Sequence, residues 1–313
     1  MTHHSGYVVI PLLLFVAFFC TSCNNSSNNT TDATLAAKIE RGDYLVNAVA
    51  NCMHCHADRD FTKFGGPTVS GTQGKGGQRK GVFVSNITPT VLGNWTDQEI
   101  ERAITTGITN VGDTLFFTMP SMSYKYLTKY DVESIVAYLR TLKPIADSVP
   151  KRNLNHLPPG RLSSLYHEFY SNDIYQTLEQ PQPEEELLKG KYLVTIGGCI
   201  ACHTNLDLKL LAYKRDSLLA GGLLFNKPGN FKVKSANITP DTTTGIGAWT
   251  EEMFLAKFKN YRDREAYDYD PGKHNSEMPW TIFANMTDDD IKSIYKYLRT
   301  VKPIKNKVTK WPQ

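Results

Sequence analysis

Apolar residues recur at three- and four-residue spacing in several stretches of this chain, and the same stretches occur twice. Val132, Ile135, Val136 and Leu139 share one face of a predicted helix, as do Ile291, Ile294, Tyr295 and Leu298 further on. Each run follows a capping pattern, Thr128-x-x-Asp131 or Thr287-x-x-Asp290, and each is stopped by a proline, Pro144 or Pro303. Upstream, Thr96 and Glu99 form a capping box that opens a helix through Ile100, Ala103 and Ile104. Thr250, with Glu251 and Glu252, opens its counterpart through Phe254, Leu255 and Phe258. Two further helices are predicted around Ile39, Leu45 and Val46 and around Leu187, Leu193 and Val194. Gly42 and Gly190 lie within them and would let another helix cross closely. The Gly-rich run from Gly71 to Gly81 and the segment from Leu206 to Val233 read as loops or short irregular strands.

The duplication can be followed residue by residue. Gly42-Asp43-Tyr44-Leu45-Val46 returns as Gly190-Lys191-Tyr192-Leu193-Val194, and Asn86-Ile87-Thr88-Pro89 as Asn237-Ile238-Thr239-Pro240. Trp95-Thr96 returns as Trp249-Thr250, and Met119-Pro120 as Met278-Pro279. Tyr138-Leu139-Arg140-Thr141 and Lys143-Pro144-Ile145 return as Tyr297-Leu298-Arg299-Thr300 and Lys302-Pro303-Ile304. The expected fold is therefore all-α, with two tandem domains at residues 37–145 and 186–304. Residues 146–185, with five prolines, would form an ordered strap with mobile ends, and 305–313 a tail.

Composition adds limits. The 313 residues suffice for two domains of ordinary size, and 41% hydrophobic with 21% charged residues is a globular balance. The net charge of +4 is spread without a long basic run, which argues against nucleic acid as a partner. Tyr7 to Cys20 is nearly all apolar: too short to span a bilayer comfortably, but suited to a signal segment, although Met1 to Gly6 has no Lys or Arg. Cys20-Thr21-Ser22-Cys23 resembles a bacterial lipobox, with small residues before Cys23, the expected lipidation site. Residues 1–23 would then be a signal peptide and 24–36 a flexible polar tether from an acyl anchor in a lipid membrane. Such a protein would lie at the periplasmic face or outer surface of a bacterial membrane. Simple secretion after cleavage is the alternative.

The chemistry is concentrated in two C-x-x-C-H motifs, Cys52-Met53-His54-Cys55-His56 and Cys199-Ile200-Ala201-Cys202-His203. This pattern attaches a c-type haem: two thiols reach the two vinyl groups and the histidine ligates the iron from below. A thioredoxin-like pair or half of a zinc site are the alternatives; neither needs the trailing histidine twice. The remaining cysteines, Cys20 and Cys23, leave no pair for a structural disulfide. With His56 and His203 on the proximal side, the repeat nominates Met119 and Met278 as distal ligands, each stiffened by a following proline. Met286 and Met122 lack repeat support, with Met286 read as core. His54 is read as a surface residue, His156 and His167 as solvated, and His274 as a weaker competitor for iron. Asn86, Thr88 and Trp95, with Asn237, Thr239 and Trp249, either bond haem propionates or fix the loop at the ring edge; the tryptophans are equally read as core.

Together the two motifs, the two Met-Pro segments and the run Thr239-Pro240-Asp241 to Gly245-Ile246-Gly247-Ala248-Trp249-Thr250 resemble class I cytochrome c domains. They are similar to the multi-haem cytochrome subunits of bacterial membrane-bound alcohol, aldehyde and gluconate dehydrogenases. The chain departs from those three-haem subunits in having two motifs, and the first copy shortens the run to Thr88-Pro89-Thr90-Val91-Leu92-Gly93-Asn94-Trp95. The resemblance implies two covalent haem c groups and electron transfer, from a dehydrogenase or respiratory complex to a terminal acceptor, with no catalytic side chain. A dihaem peroxidase or a haem-based ligand sensor is the rival; either needs an iron with an open distal position.

Overall fold

The computed structural model describes residues 1–3, 26–79, 82–116, 118–146, 148–150, 184–207, 212–227 and 231–312. The apolar segment expected to be a signal, Cys20 and Cys23, most of the expected strap, and His156 and His167 lie outside the described residues. Among the described residues no helix is long and apolar enough to cross a membrane.

In the first half, α1 (Ser26–Tyr44) runs into a single π-helical turn, Leu45–Val49, and the attachment motif forms the short helix α2 (Met53–His56). The hairpin β1 (Gly77–Arg79) and β2 (Val82–Val84) follows, then α3 (Pro89–Leu92) and α4 (Asp97–Thr106). The half closes with α5 (Ser121–Tyr124) and α6 (Lys129–Thr141). In the second half, α7 (Glu185–Ile196) leads to α8 (Cys199–His203), which carries the second motif. Two hairpins come next, β3 (Leu206–Asp207) with β4 (Ala212–Tyr213), and β5 (Leu224–Lys227) with β6 (Phe231–Lys234). The helices α9 (Glu251–Lys259), α10 (Trp280–Phe283) and α11 (Asp288–Thr300) complete it.

Two expectations need correction. The fold is not purely helical, because three two-stranded antiparallel ladders occupy the segments between motif and capped helix. Their pattern explains this: in β6, Phe231 and Val233 point inward and Lys232 outward, a period of two that no helix accommodates. The polar segment expected as a tether is helical from Ser26 onward; from Asp32 to Ala37 its residues are exposed and continue the turn of α1.

The helix caps form where the pattern put them. Thr96 and Glu99 complete a reciprocal capping box, and Thr128, Thr250 and Thr287 each accept a backbone N–H three residues on. The glycines work as expected too. A Cβ on Gly42 would lie 1.9 Å from the Ser134 carbonyl oxygen, and one on Gly190 2.1 Å from that of Ser293. Thus α1 crosses α6, and α7 crosses α11, at backbone contact.

The halves are not separate beads. A single apolar cluster runs through Leu45, Val46 and Val49 of the first and Val194, Ile196 and Ile294 of the second. A reciprocal clasp seals the boundary. Tyr44 donates to Asp290 and accepts the Thr287 N–H at 3.1 Å; Tyr192 donates to Asp131 at 2.5 Å and accepts the Thr128 N–H at 3.3 Å. Each aspartate also meets a cation of its own half: Arg41 binds Asp131 through two bonds, 2.8 and 3.0 Å, and Lys189 meets Asp290 at 2.5 Å. These carboxylates are buried, and the paired cations and phenols offset the cost of desolvating them. Because the same residues serve both directions, the halves meet about a pseudo-two-fold axis.

Candidate haem site

Both attachment motifs open onto one continuous cavity of about 1470 Å3, larger than the roughly 300–1,000 Å3 of an ordinary small-molecule site. Cys52, Cys55, His56 and Met119 line it from the first half, and Cys199, Cys202, His203 and Met278 from the second. All eight sequence-predicted donors described by the structure therefore face one space. Cys23 lies outside the described residues.

Each proximal histidine is fixed by the loop that follows its hairpin. The Nδ1 of His56 lies 2.8 Å from the Ser85 carbonyl, and that of His203 2.8 Å from the Ala236 carbonyl. A carbonyl can only accept, so Nδ1 carries the proton and Nε2 keeps its lone pair for a metal. Desolvation at the cavity wall holds the His203 pKa below its ordinary value, against the opposing hydrogen bond to Ala236, so the neutral ligand form is favoured. Burial, then the neighbouring Cys55 or Cys202, pushes the Cys52 and Cys199 thiols up to about 12. A catalytic dithiol needs a depressed thiol pKa, so the redox-pair reading loses its footing.

The distal loops are built alike. Met119 and Pro120 precede α5, and Met278 and Pro279 precede α10, with each proline as the helix cap. The Met278 N–H donates to Ser276 Oγ at 3.2 Å, and the Trp280 indole donates to the same oxygen at 3.1 Å. The Met119 N–H donates to the Phe116 carbonyl at 2.9 Å. The donor set, an imidazole nitrogen and a thioether sulfur on each side with two thiols beneath, fits c-type haem iron.

The repeated Asn and Thr residues resolve into loop fasteners. Asn86 Oδ1 accepts from the Thr88 N–H and hydroxyl at 2.8 and 2.7 Å, while its Nδ2 donates to the Ile145 carbonyl at 2.9 Å. Asn237, Thr239 and Ile304 repeat this at 2.9, 2.8 and 2.8 Å. These bonds hold the loop at the cavity rim against the segment after α6 or α11. Trp95 and Trp249 line the cavity and are half-buried. Their carbonyls have partners: Arg140 donates to Trp95 O and Leu92 O at 2.5 Å each, and Tyr295 to Trp249 O at 2.7 Å. Arg299 grips the Gly247 carbonyl at 2.7 Å. These arginines stood in the repeated Tyr-Leu-Arg-Thr segment, where the repetition itself was the available signal.

Other residues fall differently. Met286 is core, as read, and Met122 is buried at the cavity wall. His274 is exposed and sets its ring edge-on to Trp311, outside the cavity lining. His54 is not a surface residue. It lies 3.5 Å from Glu277, beside Met278, and Arg59 reaches its Nδ1 at 2.7 Å. Asn275 adds to this seam by accepting the Gly65 N–H at 2.8 Å and donating to the Phe61 carbonyl at 2.9 Å. The distal loop of the second half is thus packed on the loop that follows the first motif, which no periodic pattern announces.

Comparison with known proteins agrees with this geometry. Residues 37–139 match the family described as cytochrome c oxidase, cbb3-type, subunit III, and residues 187–302 match the family described as cytochrome c. The chain is similar to the cytochrome c subunit of alcohol dehydrogenase (quinone) from Gluconacetobacter polyoxogenes, 26% identical over 92% of this chain and 61% of that protein. It is 25% identical to the gluconate 2-dehydrogenase cytochrome c subunit of Pantoea cypripedii, over 94% of this chain and 64% of that protein. The fructose dehydrogenase cytochrome subunit of Gluconobacter japonicus is 29% identical over 84% of this chain and 52% of its own length. The chain thus spans between about half and two thirds of the length of these relatives.

Proposed function

Because the chain consists of two cytochrome c domains, each with a covalent haem c, we propose that it is an exported electron carrier that serves a dehydrogenase or respiratory complex and delivers to a terminal acceptor. The observation that carries this reading is that His56, Met119, His203 and Met278 all line one cavity, with both attachment motifs opening onto it. Each haem, when bound, supplies a one-electron ferric–ferrous couple.

The chain's own residues do the rest. The Ser85 and Ala236 carbonyls hold the proximal imidazoles in one tautomer and one orientation. The Met-Pro loops close the distal side and leave no position for peroxide or a gaseous ligand. Rigid closure on both sides suits a group that changes charge without changing ligands. The shared apolar wall excludes water, and the Tyr–Asp clasp keeps the two sites against each other. The relatives, whose names describe cytochrome subunits of dehydrogenases, support a dehydrogenase as the partner. Lipidation at Cys23 would anchor the carrier on the periplasmic face or outer surface of a bacterial membrane.

The test is to reduce the haem-loaded protein and add carbon monoxide. Two closed irons leave the reduced spectrum unchanged. A carbon monoxide spectrum from either iron would replace the carrier with a peroxidase or a ligand sensor. For the anchor, Cys23→Ala should move the protein from the membrane fraction to the soluble one; unchanged partition would remove it from the account.

A further inference from the structure

The two halves line the cavity in register, and they differ in charge. Helices α4 and α9 start at equivalent caps, Thr96 and Thr250, so Ile100 corresponds to Phe254, Ala103 to Lys257 and Ile104 to Phe258. All six are at the wall. The carbonyls that hold the histidines, Ser85 and Ala236, set the register of the preceding strands, so Phe83 corresponds to Lys234, again both at the wall. The second half therefore places two ammonium groups where the first has a phenyl ring and a methyl group.

Lys310 joins them at the wall, and its repeat counterpart, Lys151, lies outside the described residues. Its carbonyl accepts the Lys234 N–H at 2.8 Å. Burial and then the charge of Lys257 lower the Lys310 pKa, so these two ammonium groups act on each other. Lys257 Nζ lies 5.1 Å from the ring centroid of Trp280, two residues past Met278, and 3.3 Å from the Tyr261 hydroxyl. The other charged side chains at the wall are Asp58 and Arg59 of the first half and Glu277 of the second: Asp58 meets Lys75 at 2.7 Å, Glu277 lies 3.5 Å from His54, and Arg59 reaches His54 at 2.7 Å, so the wall of the second half keeps the excess of cations.

We propose that Lys234 and Lys257, which replace Phe83 and Ala103 of the first half, raise the reduction potential of the second haem site above that of the first, so that the second site holds the electron at equilibrium. This rests on the reading of the protein as a dihaem carrier. With the same residue types predicted as axial donors on both sides, ligand identity does not separate the two potentials, and the charge at the wall is the difference between the halves that the structure displays. The ferric site carries one positive charge more than the ferrous, so nearby ammonium groups disfavour it, and they do so with little screening in a water-poor cavity. A single electron on the chain therefore comes to rest at the second site, whichever site meets the donor.

Spectroelectrochemical titration of the haem-loaded protein tests this. The wild type should titrate in two one-electron steps. Lys257→Ala with Lys234→Phe, which gives the second half the residues of the first, should lower the upper step by about a tenfold change in the reduction equilibrium, about 59 mV for one electron, and leave the lower step in place. Ala103→Lys, which gives the first half the residue of the second, should raise the lower step, and it guards against a lysine variant that folds poorly. Met119→His replaces the ligand that favours ferrous iron and should lower only the lower step, which assigns that step to the first site. An upper step unmoved by the lysine variants, or lowered by Met119→His, overturns the proposal. The methionine–iron charge-transfer band of the same samples keeps the two readings apart. A full band with an unmoved upper step sinks the charge assignment alone; a missing band with the predicted shifts sinks the ligation alone.

Discussion

Replacing Gly190 by alanine sets two known effects against each other. Alanine is the better helix former, by about 0.8–1 kcal/mol at an interior position. At this position, however, its Cβ would lie 2.1 Å from the Ser293 carbonyl oxygen and 2.8 Å from the Tyr297 Cβ. The obstacle is backbone, which cannot rotate away, so α7 and α11 must separate. That opens a seam in which Leu193, Val194, Ile294 and Tyr297 are all buried. Overpacking costs about 1–3 kcal/mol, and a backbone clash belongs at the upper end. The net expectation is destabilisation by about 2 kcal/mol, which lowers the melting temperature by roughly 3 °C in a protein of this size. Because α7 ends at Ile196, just before Cys199, the second motif should also load haem less completely. Thermal unfolding of the haem-loaded protein and its haem-to-protein ratio read both effects. A Gly190→Ala protein that melts at or above the wild type would show that helix propensity wins and that the crossing is looser than described. Gly42→Ala, with its Cβ 1.9 Å from the Ser134 carbonyl, should behave in the same way.

Other consequences are as specific. Tyr44→Phe with Tyr192→Phe removes both phenol donors to buried carboxylates, at about 1.5–3 kcal/mol each. The denaturation midpoint should fall accordingly, and an unchanged midpoint would mean that the clasp adds nothing. Asn237→Ala leaves the Thr239 N–H without its acceptor and the Ile304 carbonyl with only the Thr239 hydroxyl, at 3.2 Å, and should cost about 1–3 kcal/mol and loosen the loop at the second rim. Amide exchange at Thr239, compared with Thr88 in the intact first half, would show it. Asp268 is held below the usual carboxylate range by Lys63, across the boundary between the halves, and then by Arg264. A depressed carboxylate contributes stability above its unfolded pKa, about 3.9, and loses it as the pH falls through the folded value. Lys63→Met should therefore flatten part of the loss of stability on acidification below pH 4; an acid profile identical to the wild type would rule that contribution out.

Much of this architecture was legible in the chain because it rests on local rules. A threonine followed by an acidic first turn marks a helix start whatever surrounds it, and Thr96, Thr128, Thr250 and Thr287 all cap. Gly42 and Gly190 stood out because each recurred in a matching segment. The two histidines and two methionines that line the cavity stood out for the same reason. The merged cavity and core, by contrast, depend on how one half docks on the other, which leaves no periodic trace. Tyr44, Tyr192, Asp131 and Asp290 were visible as repeated residues, but their partners are about 60 residues away on one side and 246 on the other. The loop from Asp58 to Thr68 has no counterpart motif, so neither its hold on Asn275 nor the seating of His54 against Glu277 could be read in advance. The rim asparagines and threonines stood out by repetition, and of the two roles expected for them the structure shows the bonds that fasten the loop.

The central claim is that both irons are closed by a histidine and a methionine. The most direct measurement is the optical spectrum of the oxidised, haem-loaded protein in the far red, where a methionine–iron charge-transfer band appears. The account predicts an intensity equal to two methionine-ligated haems per chain, halved by Met119→Ala and equally by Met278→Ala. An intensity of one haem or none in the wild type would contradict it, and would turn attention to an iron with an open distal side.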